Sequence, residues 1–211
     1  MLFCLVLQYK IEYGMRKILI INAGQEFAHS GGLFNNTVTN WTSTYFAVDA
    51  DLEVQVTHIA AGYDIESEVA KFVWADVIIY HTPVWWFGLP YGFKQYLDEV
   101  LTAGHNKGLY VSDGRHSVNP KMNYGKGGSM QGTHYMLTTT WNAPIEAFTL
   151  DTEFFNQTGV DNGVMFGFHK MNAFLGMSKL DSFHFHDVSK KPMIEEYEKL
   201  YINHLDSIFK K

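Results

Sequence analysis

Two hydrophobic periods alternate along this chain. Residues 17–22 form an almost unbroken apolar run behind a basic pair, the pattern of a strand covered on both faces of a parallel sheet. A Gly-, Ser- and His-containing loop fills residues 23–32. Over residues 33–48 the apolar positions Leu33, Phe34, Val38, Trp41, Tyr45 and Val48 fall close to the helical repeat. Asn35, Asn36 and several threonines have weak helix propensity, so packing must hold that helix. Leu52, Val54 and Val56 alternate with polar neighbours and predict a second, partly exposed strand. Residues 64–75 predict a helix with Ile65, Val69, Phe72 and Val73 on one stripe, and residues 76–81 a third, buried strand. A turn at 83–88 leads to Pro90, which starts a helix running through Tyr96, Leu97, Val100 and Leu101. Proline suits the first helical position because its missing N–H would be unpaired there.

Residues 102–133 form a long Gly-rich connection, of the kind that is functional or disordered when it lies inside a compact domain. Residues 135–140 predict a fourth strand, 164–174 a helical or mixed segment, and 182–188 a fifth strand. The clearest amphipathic helix is 192–209, with Met193, Tyr197, Leu200, Tyr201, His204, Leu205 and Ile208 on one side. Strands alternating with helices imply an α/β, doubly wound fold: a five-stranded parallel sheet of order 2-1-3-4-5, flavodoxin-like, with helices on both faces. In such a sheet, ligands sit beyond the carboxyl ends of the strands at the switch point.

The chain has 211 residues, 46% of them apolar, and no repeat or linker, so one domain is expected over 15–211. Met15 opens directly into the first strand, and residues 1–14 read as an N-terminal extension. Their apolar start is too short to span a bilayer and has no basic leader or small-residue cleavage site. The net charge is −6, and the pairs Lys190-Lys191 and Lys210-Lys211 are too small for a nucleic-acid footprint. The single cysteine, Cys4, excludes an internal disulfide and thiol metal sites and fits a reducing cytoplasm. Aromatics make up 16% of the chain, which can fill a core and also suits a pocket for a flat ligand.

The segments just beyond the strand ends decide the candidate chemistry. After the first strand come Phe27-Ala28-His29-Ser30-Gly31-Gly32 and then a helix start. After the third come Pro83-Val84-Trp85-Trp86-Phe87-Gly88, and after the fourth Thr140-Trp141-Asn142-Ala143-Pro144. The helix start can bind a phosphate or pyrophosphate through unpaired N–H groups and the positive end of the helix dipole, with Ser30, Asn35 and Thr37 as further donors and His29 as a loop imidazole. The aromatic loops offer an apolar slot. Amides near Trp86 and Phe87, and near Asn142 and Ala143, could meet the heteroatoms of an isoalloxazine ring. Taken singly these pieces are ordinary caps, core aromatics and turns, and their conjunction at three strand ends carries the reading. His184 and His186 alternate on the fifth strand without a matching third ligand and read as structural, so no metal site is expected. No P-loop, GxGxxG, GxSxG or His-Glu-x-x-His pattern is present.

One ordered set of motifs goes further. Phe27-Ala28-His29-Ser30, Trp85-Trp86-Phe87-Gly88 with Pro90, Ser112-Asp113-Gly114-Arg115, Tyr124-Gly125, Thr140-Trp141-Asn142-Ala143-Pro144 with Glu146-Ala147-Phe148, and Phe168-His169-Lys170 with Phe174-Leu175-Gly176-Met177 occur in one order. Together they resemble the modulator-of-drug-activity-B family of NADPH:quinone oxidoreductases, from about Met15 to the last helix. Residues 1–14 have no counterpart. The resemblance implies a flavodoxin-like homodimer with non-covalent FAD, hydride transfer from NADPH to the flavin, and then from the flavin to a quinone at the same place. It assigns His29, Ser30, Gly31, Gly32, Leu33, Phe34, Asn35, Asn36, Thr37 and Val38 to the pyrophosphate and neighbouring groups. It assigns Pro83, Val84, Trp85, Trp86, Phe87 and Gly88 to the flavin and ribityl chain. Thr140, Trp141, Asn142 and Ala143 would hold the pyrimidine side of the ring, although many wider relatives carry Gly-Gly at the last two positions. Tyr124 would approach the cofactor from the long connection, and Tyr124 and His169 are the candidates for donating a proton to a quinone oxygen. The rival readings are an FMN azoreductase, a flavodoxin-type electron carrier and a nucleotide-binding regulatory subunit. Against the carrier, the loop 23–27 is longer than, and different from, the Thr/Ser-rich phosphate loop of such proteins.

Overall fold

The computed structural model describes residues 16–28, 30–190 and 192–210; the segment 1–14 and His29 lie outside them. The elements are β1 (Lys17–Asn22), α1 (Leu33–Phe46), β2 (Glu53–His58) with a 3-10 turn (Ile59–Ala61), α2 (Ile65–Trp74), β3 (Val77–Pro83), α3 (Tyr91–Ala103), β4 (His134–Thr140), α4 (Glu146–Thr149), α5 (Phe166–Leu175), β5 (Ser178–Lys179), β6 (Phe183–Phe185) and α6 (Ile194–Phe209). The sheet is parallel in the order β2-β1-β3-β4-β5, as the alternation predicts, and β6 also pairs with β4.

The twofold side-chain alternation of each strand divides the core in two. Leu19 and Ile21 of β1, Ile78 and Tyr80 of β3 and Tyr135 and Leu137 of β4 point to one face. There they meet Val69 and Phe72 of α2, Phe93 and Leu97 of α3 and Phe168 and Leu175 of α5. Ile18, Ile20, Val77, Ile79 and Met136 point to the other, against Val38 and Phe46 of α1 and Tyr201, Leu205 and Phe209 of α6. This double burial explains the continuous apolar runs in β1 and β3. α2 has a conventional start, with the Asp64 carboxylate accepting from Ser67 N–H at 2.9 Å. In α1 two of the threonines that weaken its propensity turn inward: Thr39 and Thr42 donate to the carbonyls of Asn35 and Val38 at 2.8 Å.

The fifth strand differs from expectation. The predicted strand at 182–188 is shortened to β6, and a further short strand, β5, precedes it, giving six strands in place of five. Ser178 and Lys179 pair with His134 and Tyr135, whereas Phe183 to Phe185 pair with Thr138 to Thr140. Between them residues 180–182 face only Met136 and Leu137, so the edge carries one extra residue, a bulge. The bulge turns Phe183 and Phe185 onto Tyr201 of α6 and His184 to the opposite face, toward Thr139. Asp187, with φ of 56°, then ends the strand early.

Of the long connection 102–133, residues 102–103 end α3, and residues 104–133 hold a defined course without helix or strand. Tyr110 bridges to both His105 and Gly128, and Gly128 lies against α5 so closely that a Cβ there would stand 2.2 Å from the Leu175 carbonyl carbon. The short α4 carries no periodic signal in the sequence. Among the described residues no helix is long and apolar enough to cross a membrane.

Candidate active site

Because the strands are parallel, the segments after β1, β3 and β4 emerge on one rim. The first is drawn into a tight turn: Phe27 and Ser30 exchange backbone hydrogen bonds at 2.8 Å in both directions. It closes at Gly32, whose φ is 66° and whose Cβ would lie 3.1 Å from Gln25 N, so glycine is required both for conformation and for space. α1 begins there with no side-chain cap, leaving the N–H groups of its first turn open.

These N–H groups face a cavity of about 380 Å³, lined by Ser30, Gly31, Gly32, Leu33, Phe34 and Asn35, by Pro83, Val84 and Trp85 after β3, by Thr140 and Asn142 after β4, and by Val188 and Ser189. Asn35 is 3% exposed; its Oδ1 accepts from the Thr140 hydroxyl at 3.3 Å, and its Nδ2 has no partner. A buried amide with an unused donor at a cavity wall is suited to an acceptor-rich ligand. A second cavity of about 590 Å³ shares Ser30, Val84, Trp85 and Asn142 and adds Phe27, Ala28, Trp86, Leu89, Pro90 and Tyr91. The two form one cleft. Among the described residues no Lys or Arg lines it, so an anion there would be met by amides and by the helix start.

The walls of the cleft are built differently. On the β3 side Trp85 and Gly88 exchange backbone hydrogen bonds at 3.0 Å, closing a hairpin turn with Trp86 at φ 46° and Phe87 at φ 60°. Both are left-handed, as in a type I′ turn that ordinarily takes Asn-Gly. Trp86 is 93% exposed, and Phe87 stacks on Phe154 at 5.4 Å. On the β4 side Trp141 is 4% exposed, its indole N–H donates to Thr139 Oγ1 at 2.7 Å, and its ring meets Phe148 at 4.9 Å. Val84 N–H donates to Thr140 O at 3.1 Å and ties the walls together. Among the described residues the N–H groups of Trp86, Phe87, Asn142 and Ala143 donate to no backbone carbonyl.

Of the residues expected at the site, Ser30 to Asn35, Pro83 to Trp86, Thr140 and Asn142 line the cleft. Others do not. Helical rotation carries residues 36–38 away from it: Asn36 accepts from Asn22 at 2.7 Å, Thr37 donates to Leu33 O at 3.2 Å, and Val38 is a core residue. Phe87 and Gly88 form the back of the hairpin, while Trp141 and Ala143 pack behind the lining. Tyr124 lies 5.9 Å from Phe174 with Arg115 above its ring at 5.6 Å, off both cavities. His169 is also elsewhere, 2.9 Å from the Tyr135 hydroxyl and 2.9 Å from Asp161. Neither can serve as a proton donor at the cleft of this single chain. The sequence patterns miss Val188 and Ser189. These two succeed the fifth strand just as the other lining segments succeed theirs, but the predicted strand runs through Val188 and hides them.

Two histidines beside the cleft, His81 buried and His186 half-buried, have displaced acidities. Burial lowers the pKa of His81, near the end of β3, to about 3, and its Nε2 pairs with Thr42 Oγ1 at 3.0 Å. Burial, together with the neighbouring His184, lowers that of His186 to about 4. Both imidazoles are neutral at pH 7.

A family described as having a flavodoxin-like fold matches residues 16–205. The chain is 47% identical over 192 residues to the NADPH:quinone oxidoreductase MdaB of Haemophilus influenzae, a match that covers 91% of this chain and 98% of that protein. It is also 47% identical over 193 residues to an uncharacterized protein of Schizosaccharomyces pombe, covering 92% of this chain and 97% of that one. Among solved structures, a Klebsiella pneumoniae protein provisionally called a quinone reductase superposes with a TM-score of 0.72 at 20% identity, covering 93% and 86% of the two chains. General stress protein 14 of Treponema denticola, solved with FMN, gives 0.63 at 22% identity, covering 92% and 97%. At these identities the two structures speak for the fold.

Proposed function

The chain belongs to the flavodoxin-like family and, within it, to the modulator-of-drug-activity-B quinone oxidoreductases; from that premise we propose that it is an FAD-dependent NADPH:quinone oxidoreductase working by alternating two-electron half-reactions. The observation that carries the reading is the cleft itself, where an uncapped helix start, an unpaired buried Asn35 amide and a tryptophan-walled slot meet. When bound, the flavin supplies the redox chemistry, a hydride in from the nicotinamide and a hydride out to the quinone.

The chain's own residues supply placement. Open N–H groups at the start of α1, with Asn35 Nδ2 beside them, would hold the phosphates. Val84 and Trp85 would bound the ribityl chain and ring, and the free amides of Asn142 and Ala143 would offset charge at the pyrimidine edge. The joined cleft runs from Ser189 past α1 to Tyr91, and the motif resemblance assigns FAD to it. The open end beside Phe27, Trp86 and Tyr91 leaves room for a flat substrate.

The same reading has the chain working as a cytoplasmic homodimer. An apolar groove of about 310 Å³ between α3 and α5, lined by Leu97, Leu101, Met171 and Phe174, suits a second copy. Tyr124 packs on Phe174 and would reach a cofactor only through that copy. The test is to purify the protein, record its visible spectrum, release the cofactor by heat, and follow NADPH oxidation with and without added quinone. Released FAD and quinone-dependent oxidation are expected. A colourless protein that takes up neither FAD nor FMN would overturn the reading, and released FMN would overturn the choice of cofactor.

A further inference from the structure

Behind the Trp141 wall a chain of side-chain hydrogen bonds, joined at one link by a 3.2 Å contact between His184 and Asp161, runs along β4. The Trp141 indole N–H donates to Thr139 Oγ1 at 2.7 Å; Thr139 Oγ1 stands 2.7 Å from His184 Nδ1; His184 Nε2 stands 3.2 Å from Asp161 Oδ1. The same Oδ1 faces His169 Nε2 at 2.9 Å, and His169 Nδ1 faces the Tyr135 hydroxyl at 2.9 Å. The Lys179 ammonium takes Asp161 Oδ2.

The proton directions are set by the chemistry. Ionised Asp161 can only accept, so each imidazole presents an N–H at Nε2, which in the neutral ring makes Nδ1 an acceptor. Thr139 and Tyr135 then donate their hydroxyl protons to Nδ1, and a lone pair of Thr139 remains for the indole. Burial acts to raise the Asp161 pKa, but the donors His169, His184 and Lys179 outweigh it and hold the carboxyl well below the usual range.

Asp161 sits on the segment 150–165, which also touches both walls. Phe155 stacks on Phe148 at 4.1 Å and reaches Trp141 at 6.2 Å, while Phe154 stacks on Phe87. Asp161 ties this segment to α5, β5 and β6 at once, yet it lines neither cavity.

We propose that Asp161 is a positioning residue for the cleft: through His184 and Thr139 it fixes the Trp141 indole, and with it the directions of the free Asn142 and Ala143 amides. The proposal rests on the flavin reading for its consequence, but the relay is a property of the protein alone. Amides that must meet a rigid ring lose their value when displaced by a fraction of an ångström, so a support remote from the ring controls them.

The experiment combines Asp161→Asn, Thr139→Val and the double variant. In the flavin-free protein, the Trp141 indole N–H resonance, identified by its loss in Trp141→Phe, should shift in Asp161→Asn and exchange with solvent about tenfold faster. FAD should bind about tenfold more weakly to each single variant and no more weakly to the double, because both break one chain. An unmoved indole resonance, unchanged FAD affinity or effects that multiply in the double variant would each overturn the proposal. If Asp161→Asn fails to fold, His184→Gln interrupts the same chain while leaving Asp161 with His169 and Lys179, and the same outcomes decide. If the wild-type protein binds no flavin, it is the proposed function that fails, and the resonance alone then decides whether Asp161 holds Trp141.

Discussion

The two walls of the cleft each place a tryptophan just beyond a strand, and the residues meet opposite fates. Trp141 is packed under Phe148 and hydrogen-bonded to Thr139, with four further polar side chains behind it. Trp86 stands in solvent on a turn whose backbone disfavours any side chain. The buried wall is built before a ligand arrives and suits directional contacts from amides. The exposed wall carries strained backbone and open apolar surface, and a ligand that covers it gains the burial of that surface.

The largest expected effect breaks the buried wall. Trp141→Ala should cost about 3–5 kcal/mol in urea unfolding, the range for truncating a large aromatic in a packed core. A loss below about 1 kcal/mol would mean that this wall is no firmer than the other.

Acid should distinguish the strands behind the walls. His81 on β3 is kept neutral to about pH 3 by burial, whereas the unfolded chain protonates it near pH 6.5. Between those values the unfolded state binds the extra proton, so stability rises with pH across the window and is flat above it. From pH 7 to 5 the wild type should lose about 2 kcal/mol more than His81→Asn. Asp161 on the β4 side has the opposite sign. Its lowered pKa gives stability that is complete above the ordinary carboxylate range and lost only at more acid pH. Equal slopes for wild type and His81→Asn between pH 5 and 7 would remove the distinction.

Replacing Trp86-Phe87 by Asn-Gly should relieve the left-handed strain, raising stability by about 1–2 kcal/mol while weakening FAD binding. A fall in stability would show that the hairpin holds the aromatics without strain. The smallest effect is Trp86→Ala, expected within about 0.5 kcal/mol of wild type in unfolding yet poorer in flavin retention on gel filtration. Unchanged retention would place the ring away from this wall.

The motif resemblance assigns residues 30–38 to the cofactor, and of these Ser30 to Asn35 line the cleft. Asn35 lines the cleft and Val38 lies in the core because three residues advance about 4.5 Å along the axis of α1, which carries Val38 past the rim and down onto the sheet, while Asn36 and Thr37 turn to other faces. Tyr124 and His169 are candidate proton donors by motif, and the structure of the single chain sets them beside Phe174 and Asp161, away from the cleft. The fifth strand is predicted from alternation alone, which cannot register an inserted residue.

By itself the amino-acid order determined the alternation of strands and helices, the parallel sheet and its order, and which three segments crown it. All of these depend on periods and turn residues that act over a few neighbours. Tertiary structure alone decided that Trp141 turns inward and Trp86 outward, that one extra residue at the sheet edge presents His184 to Thr139, and that Asp161 gathers His169, Lys179 and His184. Those pairings join residues far apart in the chain, and they depend on strand register and turn handedness, which no local pattern encodes.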